Sequence, residues 1–280
     1  MAIRQLGLLA IGIMTASFAP AAMPSRGVCA HRGNDGKMPE NTTIAWANAV
    51  KLGADMVEMD VKRCKTGEMV IMHDGTVDRT TNGKGAVKDL AFDEIRALEV
   101  NWRRGKPIPG CPPAKVPTFA EALDAIPRDA PVWINCHCSG DTAVEVAQVI
   151  KAKGRLGQAF IATSLVAIEA ARKAVPEILS CNMSRPYRGT DAYRKSWPPE
   201  KSTQYARETV AHKCQFLQLL APCSPSDIRL LHEAGVKVSY FHCEKPEKVK
   251  ELVDLGVDFI LTDNLTAVKA AYREAAKGKD

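Results

Sequence analysis

Short apolar runs recur along the chain at residues 28–31, 56–61, 69–73, 132–137, 160–163, 178–183, 216–219, 236–241 and 259–262. Runs of this length, bounded by polar turn residues, predict β-strands. Helical patterning fills most of the gaps and is clearest at 40–52, 142–153, 165–174, 227–234, 246–255 and 265–276. Gly53, Gly154, Gly235 and Gly256 close several of these windows, as expected at helix C-termini. Strands alternating with helices predict an α/β fold with a parallel sheet. Nine strands over eight main repeats predict a TIM-type (β/α)8 barrel with one extra strand, and such a barrel needs about 250 residues. A doubly wound open sheet is the alternative. No G-x-G-x-x-G follows the first strand, which argues against a dinucleotide site.

The rhythm breaks in two places. Residues 75–116 are rich in Gly, Pro, Thr, Lys and Arg and read as a small insertion with one helix at 93–99. Long insertions on barrels often cover the functional face. Residues 184–202, with Arg185, Tyr187, Arg188 and Trp197, read equally as a substrate-facing loop or a solvated connection. The start of the chain reads as an export signal. Arg4 precedes an apolar stretch from Leu6 to Phe18, and Ala19-Pro20-Ala21-Ala22 offers small-residue cleavage options. The stretch is short for a membrane span, so no stable membrane insertion is expected, although an uncleaved anchor is the alternative. Residues 1–22 are therefore expected to be a signal peptide and residues 23–280 one domain, periplasmic or secreted.

Composition adds limits. At 280 residues and 46% apolar, the chain can bury a sizeable core. Its net charge of +6 fits anionic substrates or membrane surfaces, while the lack of a basic stripe argues against nucleic acid. Nine cysteines are many; outside the cytoplasm some can pair, and an odd count leaves at least one over. No zinc-finger spacing appears, and Cys136-x-Cys138 is a weak metal candidate.

Chemistry enters at the ends of the early runs. His31-Arg32-Gly33 closes the first, Pro39-Glu40-Asn41-Thr42 opens the first helix, and Glu58-x-Asp60 and His73-Asp74 follow. Residues two apart on a strand share a face, so Glu58 and Asp60 point together. Two such carboxylates repel unless a cation lies between them, and hard divalent ions take oxygen ligands. The plainer reading is a pair of salt-bridged surface acids. His31 and His73 each end an apolar run, so a barrel would bring both to its C-terminal face, where two imidazoles can divide acid and base work. Arg32 suits a bidentate grip on a phosphate diester, or an ion pair with Glu40 or Glu58. Asp74 either orients a histidine or caps the following turn. Asn41 or Thr42 reads as the helix N-cap. Glu40 reads as a member of the metal or arginine shell, or as a simple helix-start acid.

This ordered series resembles the glycerophosphodiester phosphodiesterase family, which shows HRG, PENT, E-x-D and HD and then R-T-T-x-G-x-G, here Arg79-Thr80-Thr81-Asn82-Gly83-Lys84-Gly85. Val116-Pro117-Thr118-Phe119 with Glu121-Ala122-Leu123 is similar to the family's P-T-x-x-E-x-L. Gly256-Val257-Asp258 with Thr262-Asp263 is similar to its closing G-V-D…T-D. The match spans the mature chain and is most specific in its first third. The resemblance implies a barrel with a small insertion after the HD strand, with His31 and His73 as acid/base residues and Arg32 on the phosphate. It places Glu40, Glu58 and Asp60 at or near a Ca²⁺ or Mg²⁺ ion. It implies hydrolysis of a small-molecule glycerophosphodiester to an alcohol and glycerol phosphate, with the glycerol hydroxyl attacking first and water opening the resulting cyclic phosphate. A phosphodiesterase for lysophospholipids or another phosphodiester, and a non-catalytic phosphate-binding barrel, are the alternatives. Neither a Schiff-base lysine nor an opposed carboxylate pair is evident to support another barrel enzyme.

The chain departs from the family pattern twice. Where the family has E-x-K, Ile134-Asn135-Cys136-His137 stands. By parity Asn135 and His137 face the lumen, while Cys136 and Cys138 face the helices. Asn135 offers an uncharged oxygen to the metal. His137 offers a phosphate donor when protonated, or a nitrogen ligand that favours a transition metal. The family's W-T-V-N is replaced by Ser239-Tyr240-Phe241-His242, which nominates Tyr240 as the aromatic wall and His242 as pocket lining. His212 and His232 fall in helical patterns and are expected on the surface.

Overall fold

The structure is a computed structural model that describes residues 22–34, 36–103, 106–111, 113–184, 199–219 and 223–278. Its strands in chain order are β1 (Gly27–Ala30), β2 (Met56–Arg63), β3 (Met69–Ile71), a short hairpin of β4 (Trp102–Arg103) and β5 (Lys106–Pro107), β6 (Trp133–Cys138), β7 (Ala159–Thr163), β8 (Leu179–Asn182), β9 (Phe216–Leu219), β10 (Lys237–Tyr240) and β11 (Phe259–Thr262). The helices are α1 (Thr43–Lys51), α2 (Phe92–Ala97), α3 (Phe119–Asp124), α4 (Ala143–Ala152), α5 (Leu165–Ala174), α6 (Pro199–Ala211), α7 (Pro225–Glu233), α8 (Val249–Leu255) and α9 (Leu265–Ala275).

Eight parallel strands close in the order β1-β2-β6-β7-β8-β9-β10-β11. Both β2 and β11 pair with β1, so the sheet has no open edge there and the doubly wound alternative falls. The ninth strand is β3. It pairs antiparallel with the far end of β2, Val61 opposite Ile71 and Arg63 opposite Met69. The chain therefore rises along β2, turns back and descends along β3 towards the mouth, where Met72 N donates to Asp60 O at 2.9 Å.

Strand alternation sorts side chains into two layers. Val57, Met59, Val61, Ile134, Cys136 and Cys138 point outwards into the helix-facing core. Met56, Phe160, Phe216 and Phe259 point inwards and fill the lumen, with Trp133 packed against them. Phe160 and Phe216 stack at 4.1 Å, and Trp133 meets Phe216 edge-on at 5.3 Å. At the floor of the barrel, Trp133 Nε1 donates to Pro24 O at 2.9 Å, tying down the segment that leads into β1.

The cysteines sit mostly in these apolar layers. All nine are free thiols, and only Cys111 is not buried, so none of the pairings that an oxidising compartment would allow is formed. Burial pushes the Cys138 thiol up to about 12, and Cys136 and Cys138 both point into the helix-facing core, away from the acids at the barrel mouth.

Local signals account for most helix starts. Thr42, not Asn41, caps α1, its hydroxyl accepting from Ala45 N at 3.3 Å. Thr118 and Glu121 form a reciprocal capping box at α3. The window at 246–255 divides into a 3₁₀ turn (Pro246–Lys248) and α8. The insertion carries α2 and a small core of its own, in which Val77, Val87, Ile95 and Val100 pack on Val70 and Met72. Arg185, Tyr187, Arg188 and Trp197 lie outside the described residues, as does the expected signal sequence up to residue 21.

Candidate active site

The site begins with a backbone that turns immediately after β1. His31–Gly33 form a 3₁₀ turn in which Arg32 (φ 56°) and Gly33 (φ 72°) are left-handed. A Cβ on Gly33 would lie 2.7 Å from Trp46 Cδ1 and 2.9 Å from Trp46 N, so glycine lets α1 pack here. Arg32 is strained by about 1–3 kcal/mol in this conformation. Contacts on both sides hold it: Arg32 N donates to Glu58 Oε2 at 2.9 Å, and Arg32 O accepts from Asn41 N at 2.9 Å. The fully buried Trp46 donates from Nε1 to Glu58 O at 3.1 Å, locking α1 to the strand that carries both acids.

Glu58 and Asp60 both enter the lumen and are buried. The β2–β6 register sets Asn135 beside Glu58 and His137 beside Asp60. His137 Nδ1 lies 3.0 Å from Asp60 Oδ1 and 4.0 Å from Glu58 Oε1. Glu58, Asp60 and His137 each bring a ligand atom to one cluster no wider than 4.8 Å. Asn41 buttresses it: Asn41 Nδ2 donates to Asp60 Oδ2 at 2.9 Å, and Asp60 N donates to Asn41 Oδ1 at 3.3 Å. Burial and the neighbouring Asp60 charge push Glu58 up to about 7. Burial also opposes the charge on Asp60, but the His137 hydrogen bond and nearby positive charges hold its carboxyl well below the usual range. Buried acids this close fit a divalent cation. Asn135 adds a fully buried Oδ1 with no hydrogen-bond partner.

His31 is buried, its Nδ1 3.0 Å from Asp263 Oδ1 and its ring edge-on to Phe241 at 5.2 Å. Asp263 N in turn donates to Glu244 Oε1 at 2.8 Å. Burial disfavours the His31 imidazolium, but the Asp263 hydrogen bond and the Glu58 charge outweigh it and raise the pKa. His73 arrives on the descending chain after β3, with Nδ1 2.7 Å from Asp74 Oδ1. Asp74 thus orients the imidazole. Burial opposes the Asp74 charge, but hydrogen bonds from Arg79 and His73 hold it down to about 2. Burial is also the largest influence on His73 and leaves its pKa lowered, despite the carboxylates of Asp60 and Asp74. The two histidines share one cleft with Arg32, Glu58, Asp60, His137 and Phe241.

Glu40 does not join the carboxylate cluster. Arg32 Nη1 and Arg79 Nη2 each donate to its Oε1 at 2.8 Å, and Arg79 Nη1 to its Oε2 at 2.7 Å. Two guanidinium groups thus engage both oxygens that a metal would need. Tyr240 is also displaced from its expected place. Inward Ser239 and outward Tyr240 alternate, so Tyr240 packs on the helix side and lines a separate cleft of about 400 Å³. Phe241 takes the aromatic position at the mouth. His242 stacks on Phe241 at 4.7 Å and borders that second cleft rather than the cation cluster. His242, Glu244 and Asp263 form another close group, but Glu244 Oε1 already accepts from Asp263 N, and Asp263 Oδ1 faces His31. His232 pairs with Asp258 and His212 with Glu169, both away from the mouth.

Three residues of this cleft and its surround, Arg79, Asp263 and Phe241, have no role in the sequence reading, and Asn41 has one only as a candidate helix cap. Asn41, Arg79 and Asp263 stand in the recognised motifs, but Asp60, Glu40 and His31, which they engage, lie 19, 39 and 232 residues away in sequence.

A glycerophosphodiester phosphodiesterase of Caldanaerobacter subterraneus subsp. tengcongensis is 44% identical over 99 residues, 35% of this chain; that match spans 40% of the relative's own length. A solved structure from Silicibacter pomeroyi has a TM-score of 0.74 at 20% identity, covering 90% of this chain and 95% of that one. An Oleispira antarctica phosphodiesterase, solved with the product sn-glycerol-3-phosphate, has a TM-score of 0.65 at 21% identity, covering 88% of this chain and 96% of that one. Residues 31–267 match the glycerophosphoryl diester phosphodiesterase family, and the chain belongs to that family.

Proposed function

We propose that this protein hydrolyses glycerophosphodiesters to an alcohol and glycerol phosphate, with His31 and His73 moving the protons. The observation that carries the reading is the pairing of each histidine with its own carboxylate, in the cleft that holds Arg32, Glu58 and Asp60. A divalent cation bound by Glu58 and Asp60 would neutralise charge on the phosphate. Arg32, steadied by Glu40, presents its guanidinium to the phosphate oxygens. His73, whose neutral form is favoured, takes the proton of the attacking glycerol hydroxyl. His31, whose charged form is favoured, donates a proton to the departing alcohol oxygen. When water opens the cyclic phosphate the roles reverse: neutral His31 takes the water proton, and protonated His73 returns one to the glycerol oxygen. The test is turnover of glycerophosphocholine and glycerophosphoethanolamine with Ca²⁺, Mg²⁺, Mn²⁺ or Zn²⁺ added. Turnover is expected to fall about 10²- to 10⁴-fold in His31→Ala and in His73→Ala. No turnover with any ion, or full activity in both variants, overturns the reading.

The protein is further proposed to be exported, with residues 1–22 removed as a signal peptide. Among the described residues no helix is long and apolar enough to cross a membrane. N-terminal sequencing of the protein recovered from a bacterial periplasm or medium should begin near Met23; recovery only from the cytoplasm with Met1 retained argues against export.

A further inference from the structure

In the E-x-K pattern of the family the glutamate is a metal ligand and the lysine lies near the phosphate. On β6 this chain has neither the glutamate nor the lysine. A lysine is a cation under ordinary conditions and does not ligate one, whereas the neutral form of imidazole does. His137 is also well placed. Its Nδ1, hydrogen-bonded to Asp60 Oδ1 at 3.0 Å and 4.0 Å from Glu58 Oε1, completes the cluster of potential ligand atoms, and a cation bound there would take the place of the proton the two share. Asn135 provides the independent observation. Its side chain is 1% exposed, it neighbours Glu58 in the strand register, and its Oδ1 has no hydrogen-bond partner. An amide oxygen buried in this way is an acceptor awaiting a cation or a donor.

We infer that Glu58, Asp60, His137 Nδ1 and Asn135 Oδ1 form one mixed nitrogen–oxygen site, and that it prefers a transition ion of the Zn²⁺ or Co²⁺ class to Ca²⁺ or Mg²⁺. Ca²⁺ collects six to eight oxygens and Mg²⁺ demands an octahedron of them, so neither gains from a nitrogen. Zn²⁺ and Co²⁺ accept imidazole readily. An asparagine in place of a glutamate also removes one of the negative charges that hold a hard ion. The inference rests on the phosphodiesterase reading for the site's purpose, but its test needs no substrate.

The full chain, stripped with chelator, is titrated calorimetrically with Zn²⁺, Co²⁺, Ca²⁺ and Mg²⁺, and Co²⁺ binding is followed in the visible spectrum. Zn²⁺ and Co²⁺ should bind at least about tenfold more tightly than Ca²⁺, a change of the size that even outer-shell partners produce. His137→Gln should abolish most of that preference and change the Co²⁺ spectrum. Asn135→Glu/His137→Lys should turn the preference towards Ca²⁺, and a chelated melting curve for each variant shows that it is folded. Equal or tighter Ca²⁺ binding by the natural chain, or a Co²⁺ spectrum unchanged in His137→Gln, overturns the inference. Turnover supported by Ca²⁺ but not by Zn²⁺ or Co²⁺ counts against the ion and leaves the hydrolase reading standing. No turnover with a normal Co²⁺ spectrum does the reverse.

Discussion

His31 and His73 are the same side chain in two surroundings. Asp263 stands against buried His31 and raises its pKa above the ordinary 6.5, while burial lowers that of His73 below the same value. His73 works as a base only when neutral, so activity appears as pH rises through its lowered pKa. His31 works as an acid only when protonated, so activity is lost as pH rises through its raised pKa. The pH profile of kcat/KM should therefore be a bell with limbs on either side of about 6.5. Asp263→Asn removes the charge that sustains the His31 imidazolium. Its basic limb should move to lower pH while the acidic limb stays where it was. A pair of limbs that shift together, or do not shift, argues against this division of labour.

At the scale of elements, β3 and the insertion behind it bring His73, the proposed base, to a barrel that already holds His31, the proposed acid. Arg79 fastens that piece by donating to Glu40 at the first helix and to Asp74 beside His73. Arg79→Ala should lower kcat/KM at least about tenfold through displacement of Arg32 and His73, with a smaller effect on melting, because the guanidinium is one-third exposed. Arg79→Lys should recover only part of the activity, since an ammonium cannot span both carboxylates in the same fork. Comparison of kcat/KM with melting temperature in both variants tests this; equal losses in the two would point to general unfolding.

The elements were the most legible part of the sequence. Alternation put Glu58 and Asp60 on one face and Asn135 and His137 on the lumen side of their strand, because strand parity follows from the chain itself. Register does not, since sliding β6 by two residues preserves parity, and so the pairing of His137 with Asp60 came only from the fold. The direction of β3 was equally hidden. An apolar run reads the same whether the strand rises or descends, and His73 reaches the mouth from above rather than from the tip of a barrel strand. Tyr240 was misplaced although the alternation with Ser239 would have turned it outwards. The Asp263–His31 contact joins the first and last strands and becomes visible only on closure of the barrel.

For the whole molecule, the lumen stack below the site is the keystone of the packing. Phe216 touches Trp133, Phe160 and Phe259. Phe216→Ala should cost about 3–5 kcal/mol, measured as a loss of unfolding free energy in denaturant. A loss under about 1 kcal/mol would show that the stack is loosely packed. The closed barrel and the β2–β3 excursion differ in how they are secured. One is a ring in which every strand has two neighbours. The other is a strand of three residues paired on one side to β2, held on the other by a single bridge from Val70 to Thr118 and by Ile71 N donating to Pro117 O, and clamped by Arg79. His31 belongs to the first and His73 to the second. Such an architecture contains a fuse: local opening of the excursion withdraws one proton carrier while the ring keeps its shape, so inactivation on warming would run ahead of collapse and reverse on cooling.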